Sequence, residues 1–185
     1  MRHTIYSMKK SYAVIVLLVV GVLVLATRIN GPEKCYRTET KIVRGNSLQG
    51  LIEPGSNLSI AMGFYECNPV ERGDVIIYGY SGNSDPVVKI VKAVPGDSWG
   101  LVQIDDTLSH LNVNGQELLN SEGEAYEVNQ KEAKLLSLYI RDYHGFIPAN
   151  AYLILGNIVS GSLDSRHFGL VAKQDLQGKV LRVEK

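Results

Sequence analysis

Short apolar runs broken by turn signals dominate the chain from about residue 40 onward, and this pattern points to strands. Segments 41–43, 75–78, 87–94, 111–113, 151–155 and 180–183 are rich in β-branched side chains. Between them fall Pro54-Gly55, Arg72-Gly73-Asp74, Gly82-Asn83, Pro95-Gly96-Asp97, Asn114-Gly115 and Gly161, residue types that favour reversals. Many short strands with frequent turns predict a mostly β domain, a folded antiparallel sheet of barrel-like character. Residues 122–138 contain Ala133, Leu135, Leu136 and Leu138 but no clean helical period, and they read as an irregular excursion between strands.

The first thirty residues follow another rule. Residues 12–26 (YAVIVLLVVGVLVLA) carry no charge, and as a helix they cover about 22 Å of a hydrocarbon layer about 30 Å thick. Thr27 and Ile29 extend the run, while Lys9, Lys10 and Arg28 carry their charges to the two interfaces. The expected organisation is a cytoplasmic N-terminus over 1–11, one transmembrane helix over 12–29 and an extracytoplasmic domain over 30–185. A basic start, an apolar run and the ending Val24-Leu25-Ala26 also fit a cleavable signal peptide. Lys9 and Lys10 ahead of the span keep the N-terminus in the cytoplasm. With or without cleavage, everything after residue 30 lies outside the cell membrane, and the lipid bilayer is an expected partner.

Composition narrows the functional classes. The chain has 185 residues, room for one globular domain beyond the N-terminal segment. All formal charges in the first thirty residues are basic (Arg2, Lys9, Lys10, Arg28), so 15 basic side chains face 19 acidic ones in the remainder. A mildly acidic domain offers no electrostatic footprint for phosphate backbones, which argues against nucleic acid. No CxxC or His-x-x-x-His spacing supports a metal site. Cys35 and Cys67 either pair in an oxidising compartment or remain two separate thiols, a choice that geometry decides.

Three segments carry candidate chemistry. Arg44-Gly45-Asn46-Ser47-Leu48 places a serine in a turn, where the commonest job of a hydroxyl is to bond its own backbone. Val87-Val88-Lys89-Ile90-Val91-Lys92 sets two lysines in a strand apolar on both faces. Burial disfavours the ammonium, so such a lysine sheds its proton near neutral pH and becomes a general base. Arginine cannot, because its pKa stays above about 12. Lys89 and Lys92 point to opposite faces, and periodicity alone does not choose between them. The third segment is Ser162-Leu163-Asp164-Ser165-Arg166-His167-Phe168-Gly169.

Taken in order, these segments resemble the signal peptidase I family of Ser/Lys membrane proteases. That family carries a Ser-Met motif after its anchor, an Arg-Gly-Asp-Val strand, a Lys-Arg-x-x-x-x-Pro-Gly-Asp segment, and a Gly-Asp-Asn segment followed by Ser-x-Asp-Ser-Arg. Here Ser47-Leu48, Arg72-Gly73-Asp74-Val75, Lys89 six residues before Pro95-Gly96-Asp97, and Ser162-Leu163-Asp164-Ser165-Arg166 stand in the same order. The resemblance selects Lys89 over Lys92. It implies that Ser47 attacks, Lys89 takes the proton, Ser162 orients the amine and the Ser47 N–H binds the oxyanion. Asp164 and Arg166 read as a structural ion pair. No cofactor is implied, and the implied partners are preproteins bearing signal peptides, with small side chains at the first and third positions before the cleavage point.

Two departures stand out. Gly50-Leu51 replace the family's Pro-Thr, and Gly156-Asn157-Ile158-Val159 replaces Gly-Asp-Asn-Arg. The wording also resembles peptidases of conjugative transfer systems, which process pilin or transfer proteins. Two other readings remain open from the residues: a Ser/His/Asp protease using His110, His144 or His167, and a non-catalytic membrane-tethered β-domain of an export complex. The distance from Ser47 Oγ to Lys89 Nζ separates them.

Overall fold

The structure, a computed structural model, describes residues 35–80 and 86–184; the segments expected over 1–11 and 12–29 lie outside the described residues. Among the described residues no helix is long and apolar enough to cross a membrane. The strands are β1 (Arg37–Ile42), β2 (Asn57–Met62), β3 (Val75–Tyr78), β4 (Val87–Ala93), β5 (Trp99–Gln103), β6 (Leu108–Val113), β7 (Gln116–Glu117), β8 (Glu127–Asn129), β9 (Ala151–Leu155), β10 (Val171–Ala172) and β11 (Leu176–Glu184). Every described pairing is antiparallel. The larger sheet runs β1-β2-β11-β3-β4-β9-β10, and a smaller one is built on β5-β6-β7 with β8 also pairing β6.

The mostly β expectation therefore holds, and strands β3 and β9 match the apolar runs residue for residue. The irregular excursion expected over 122–138 is a correction. Its second half is helix α1 (Gln130–Asp142). Asn129 caps it by accepting from the Lys131 and Glu132 N–H groups while the Glu132 carboxylate accepts from the Asn129 N–H, a reciprocal capping box. Its packed face is Ala133, Leu136, Tyr139 and Ile140, a spacing of three, three and one that fits a helical stripe. The stripe was hidden because the window ended at Leu138, before Tyr139 and Ile140 complete it.

Packing places β4 at the centre. Val91 and Ala93 are fully buried and Ile90 nearly so, and these three belong to three separate apolar clusters. The two turns flanking β3 and β4 are tied together. Asp97 accepts from the Val94 N–H and from the Asn114 amide, and it pairs with Arg72. Asp74 accepts from the Tyr65 hydroxyl at 2.9 Å and pairs with Lys179 at 2.6 Å. The Arg72-Gly73-Asp74 and Pro95-Gly96-Asp97 motifs thus brace the hairpin that carries Lys89. Cys35 and Cys67 form a disulfide with Cα atoms 6.4 Å apart, inside the range that geometry allows.

Candidate active site

Ser47 lies in the turn after β1, where the Gln49 N–H bonds the Asn46 carbonyl and the Leu51 and Ile52 N–H groups bond the Leu48 carbonyl. Leu48, in the place of the family's Met, is 1 % exposed and packs with Val43, Ile52, Leu58, Ile60, Ile77 and Ile90. That apolar anchor holds the turn down and leaves the Ser47 side chain half-buried at its surface.

Lys89 is 2 % exposed, in the middle of β4 opposite Ile76. Its amine donates to Ser47 Oγ at 2.8 Å. Burial is the main cause that brings its pKa down to about 8 from an ordinary 10.5; the nearby Asp164 carboxylate opposes that shift and the Arg166 guanidinium adds to it. Lys92 differs. It donates to the Leu119 carbonyl at 2.9 Å and lies 5.0 Å from the Tyr126 ring centre, away from the serine, although burial lowers its pKa as well.

The third segment forms the wall behind the pair. Asp164 and Arg166 are completely buried and joined by two bonds, Nε to Oδ1 at 3.0 Å and Nη2 to Oδ2 at 2.8 Å. Arg166 also donates to the carbonyls of Glu127, Ile158 and Val159. Asp164 caps the short helix α2 (Ser165–Phe168) and accepts from the Gly156 N–H at 3.0 Å. The ion pair expected from the sequence is present as the core of this wall. Ser162 is 3 % exposed, and its hydroxyl has no hydrogen-bond partner. The expected bond from Ser162 to the Lys89 amine is thus not formed in this structure.

Sequence reading missed what Gly156 and Asn157 do. A Cβ on Gly156 would sit 2.7 Å from the Ser47 carbonyl oxygen and 2.4 Å from Ser162 Oγ, so only glycine permits this approach. The Tyr126 hydroxyl donates to the Gly156 carbonyl at 2.7 Å. Asn157, 1 % exposed, donates its N–H to the Ser47 carbonyl at 2.6 Å. The signal was available in the departure from Gly-Asp-Asn-Arg, which singled out this segment without revealing its use.

The three described histidines lie elsewhere. His110 Nδ1 lies 2.6 Å from Glu117 Oε1, His167 Nε2 is 3.5 Å from Glu132 Oε1, and His144 occupies a turn at φ 55°. None lines the cleft beside Ser47. That cleft, about 720 Å³, has Thr40–Arg44 on one side, Pro86–Val88 on the other, and Leu48, Leu58, Ile60 and Ile77 in its apolar floor; Ser47 and Lys89 sit within it.

The structure thus places a serine hydroxyl against a buried amine at the edge of an open cleft. Residues 9–183 match the family described as signal peptidase, peptidase S26, and the chain belongs to that family. It is 27 % identical over 150 residues to signal peptidase IB of Staphylococcus aureus, covering 75 % of this chain and 73 % of that one. With signal peptidase I of Bacillus caldolyticus it shares 28 % over 142 residues, 75 % of each chain. A crystal structure of a signal peptidase I from Enterococcus faecalis is 26 % identical, covers 62 % of this chain and 98 % of its own, and superposes with a TM-score of 0.42. The protein is a hydrolase of the signal peptidase class, a serine protease that removes signal peptides.

Proposed function

We propose that Ser47 and Lys89 are the catalytic pair and that the protein, held in the cell membrane by residues 12–29, cleaves signal peptides from exported preproteins on the outer side. The observation that carries this reading is the 2.8 Å contact between the Lys89 amine and Ser47 Oγ inside the cleft. Neutral Lys89 accepts the hydroxyl proton as Ser47 Oγ attacks the scissile carbonyl, and the resulting ammonium returns that proton to the leaving amine. Water then enters, gives a proton to Lys89 as its oxygen attacks the acyl carbonyl, and the Lys89 ammonium passes that proton to Ser47 Oγ as the Ser47–acyl bond breaks and the acid is released.

Among the described residues the Ser47 N–H has no hydrogen-bond partner, which supports its role as the oxyanion donor. Ser162 fits the role of orienting the amine, since its buried hydroxyl is unpaired and borders the same glycine as the Ser47 carbonyl. The long walls and aliphatic floor suit an extended peptide. Relatives named signal peptidase I and IB support preproteins bearing signal peptides as the substrates, and the resembled family implies small residues before the cut.

The test uses the full chain with a preprotein substrate. Ser47→Ala and Lys89→Ala abolish cleavage while the proteins remain folded, and Lys92→Ala retains most of it. Activity surviving in Lys89→Ala, or equal loss in both lysine variants, rejects the assignment.

A further inference from the structure

Besides the Leu48 anchor, the turn that carries Ser47 is tied down by one buried residue, Asn157. Asn157 Nδ2 donates to the Gln49 carbonyl at 2.9 Å and to Ser121 Oγ at 2.8 Å, while its Oδ1 accepts from the Ser121 N–H at 3.0 Å. Its own N–H bonds the Ser47 carbonyl, and its carbonyl accepts from the Asn120 amide at 3.1 Å. Both side-chain N–H bonds are in use. The orientation of the amide is fixed by its partners, because the Ser121 N–H can only donate and the Gln49 carbonyl can only accept.

These bonds join three separate parts of the chain. Ser47 and Gln49 belong to the turn after β1, Asn120 and Ser121 to the connection between β7 and β8 of the smaller sheet, and Asn157 follows β9 of the larger one. Within the turn, the Gln49 N–H bonds the Asn46 carbonyl, which shares a peptide plane with the Ser47 N–H. Holding the carbonyls of Ser47 and Gln49 therefore sets the direction of both the Ser47 N–H and the Ser47 side chain.

We propose that Asn157 is a positioning residue for Ser47, that its role requires an amide, and that through it the smaller sheet's β7–β8 loop holds the nucleophile in register. This inference rests on Ser47 being the nucleophile. The resembled family carries Asp at this place, and Asp does not serve here. A carboxylate has no N–H to offer the Gln49 carbonyl, so two oxygens would face each other at 2.9 Å. Glu122 crowds the same spot: a Cβ on Gly50 would meet Glu122 Oε1 at 2.5 Å and Asn157 Nδ2 at 3.2 Å. A second carboxylate there repels the first.

The experiment measures kcat and KM of the full chain on an internally quenched peptide spanning an Ala-x-Ala cleavage site, for Asn157→Asp, the uncharged Asn157→Leu, and Ser121→Ala. Both Asn157 variants lower kcat per folded molecule about tenfold or more with KM within about twofold, since small misplacements of a reacting group cost that much. Ser121→Ala, which leaves the bonds to Gln49 and to the Ser121 N–H, stays within about threefold. In Asn157→Leu the acidic limb of the pH profile keeps its position and only the plateau falls. Plateaus within twofold of the parent in both Asn157 variants overturn the proposal, as does a loss that vanishes once folded fraction is corrected. Ser47→Ala in parallel separates the two readings: if it stays active, the nucleophile assignment fails; if it is dead while Asn157→Asp is fully active, only the positioning role fails.

Discussion

Replacing Lys89 by methionine should make the protein more stable and inactive at once. Lys89 is nearly without solvent contact, and the pKa drop from 10.5 to about 8, due mainly to burial and in part to the opposed charges of Asp164 and Arg166, sets what its charge costs the folded state. At about 1.4 kcal/mol per pH unit, that cost is about 3 kcal/mol. Methionine has similar reach and no charge, so Lys89→Met removes the cost; it also loses the amine–hydroxyl bond to Ser47, worth about 1 kcal/mol. The net gain is about 2 kcal/mol, or about 5 °C in Tm for a domain of this size.

Its pH dependence has a definite sign. Between pH 8 and 10.5 the unfolded chain keeps the Lys89 proton that the folded one has released, so the parent gains stability as pH rises through that window. Below pH 8 the full penalty is present. The gap between Lys89→Met and the parent is therefore largest below pH 8 and reverses sign before pH 10.5, where only the lost hydrogen bond remains. Thermal melts of the full chain in detergent at pH 6.5, 8 and 10 read this directly. The acidic limb of kcat/KM in the parent should fall near pH 8, reporting the same ionisation. A variant melting at or below the parent at pH 6.5, with a gap indifferent to pH, refutes the account of Lys89 as a buried, proton-shedding base.

Four further outcomes follow from the geometry. Gly156→Ala forces a methyl to 2.7 Å from the Ser47 carbonyl, and kcat falls by about 10²-fold in steady-state assays. Cys35→Ser with Cys67→Ser opens a loop of sequence separation 32 and costs about 3 to 4 kcal/mol in denaturant titrations, with turnover per folded molecule unchanged because neither residue lines the cleft. Arg166→Gln leaves the buried Asp164 without its ionic partner, which costs about 3 to 5 kcal/mol by the same titration. Protease added to right-side-out vesicles should digest residues 31–185 and spare the first ten; a soluble product beginning near Thr27 would show a cleaved segment instead of an anchor.

Legibility in the sequence tracked how local each signal was. Strands β3 and β9 were readable because β-branched and aliphatic runs end at clear turn residues. Strand β2 was missed, since Asn57 and Ser59 break up its apolar positions and only the pairing with β1 and β11 makes it a strand. Helix α1 was obscured by a window that ran from the preceding loop into its middle. At the site, Ser47, Lys89, Asp164 and Arg166 belong to segments whose order and spacing survive on paper. Asn157 does not: its partners are Gln49, 108 residues earlier, and Ser121, 36 residues earlier, and no periodicity connects them.

The placement of Asp164 explains how a lysine can keep a lowered pKa beside a buried acid. A carboxylate near an amine ordinarily restores its charge, and Asp164 does pull the Lys89 pKa upward. Its oxygens, however, are already engaged: Oδ1 accepts from Arg166 Nε and the Arg166 N–H, and Oδ2 from Arg166 Nη2 and the Gly156 N–H. Arg166 supplies an opposing charge at bonding distance, with both groups out of contact with solvent. The field reaching Lys89 is then that of a closed pair, whose two members act on the amine in opposite directions, and desolvation decides the outcome. The ion pair thus has a second consequence besides holding the wall: it lets a carboxylate sit close to Lys89 without restoring the ordinary lysine pKa. Arg166→Gln should accordingly move the acidic limb of kcat/KM upward in the fraction that folds, because the freed Asp164 charge then stabilises the Lys89 ammonium; a limb that stays near pH 8 would show that the pair plays no part in tuning the lysine.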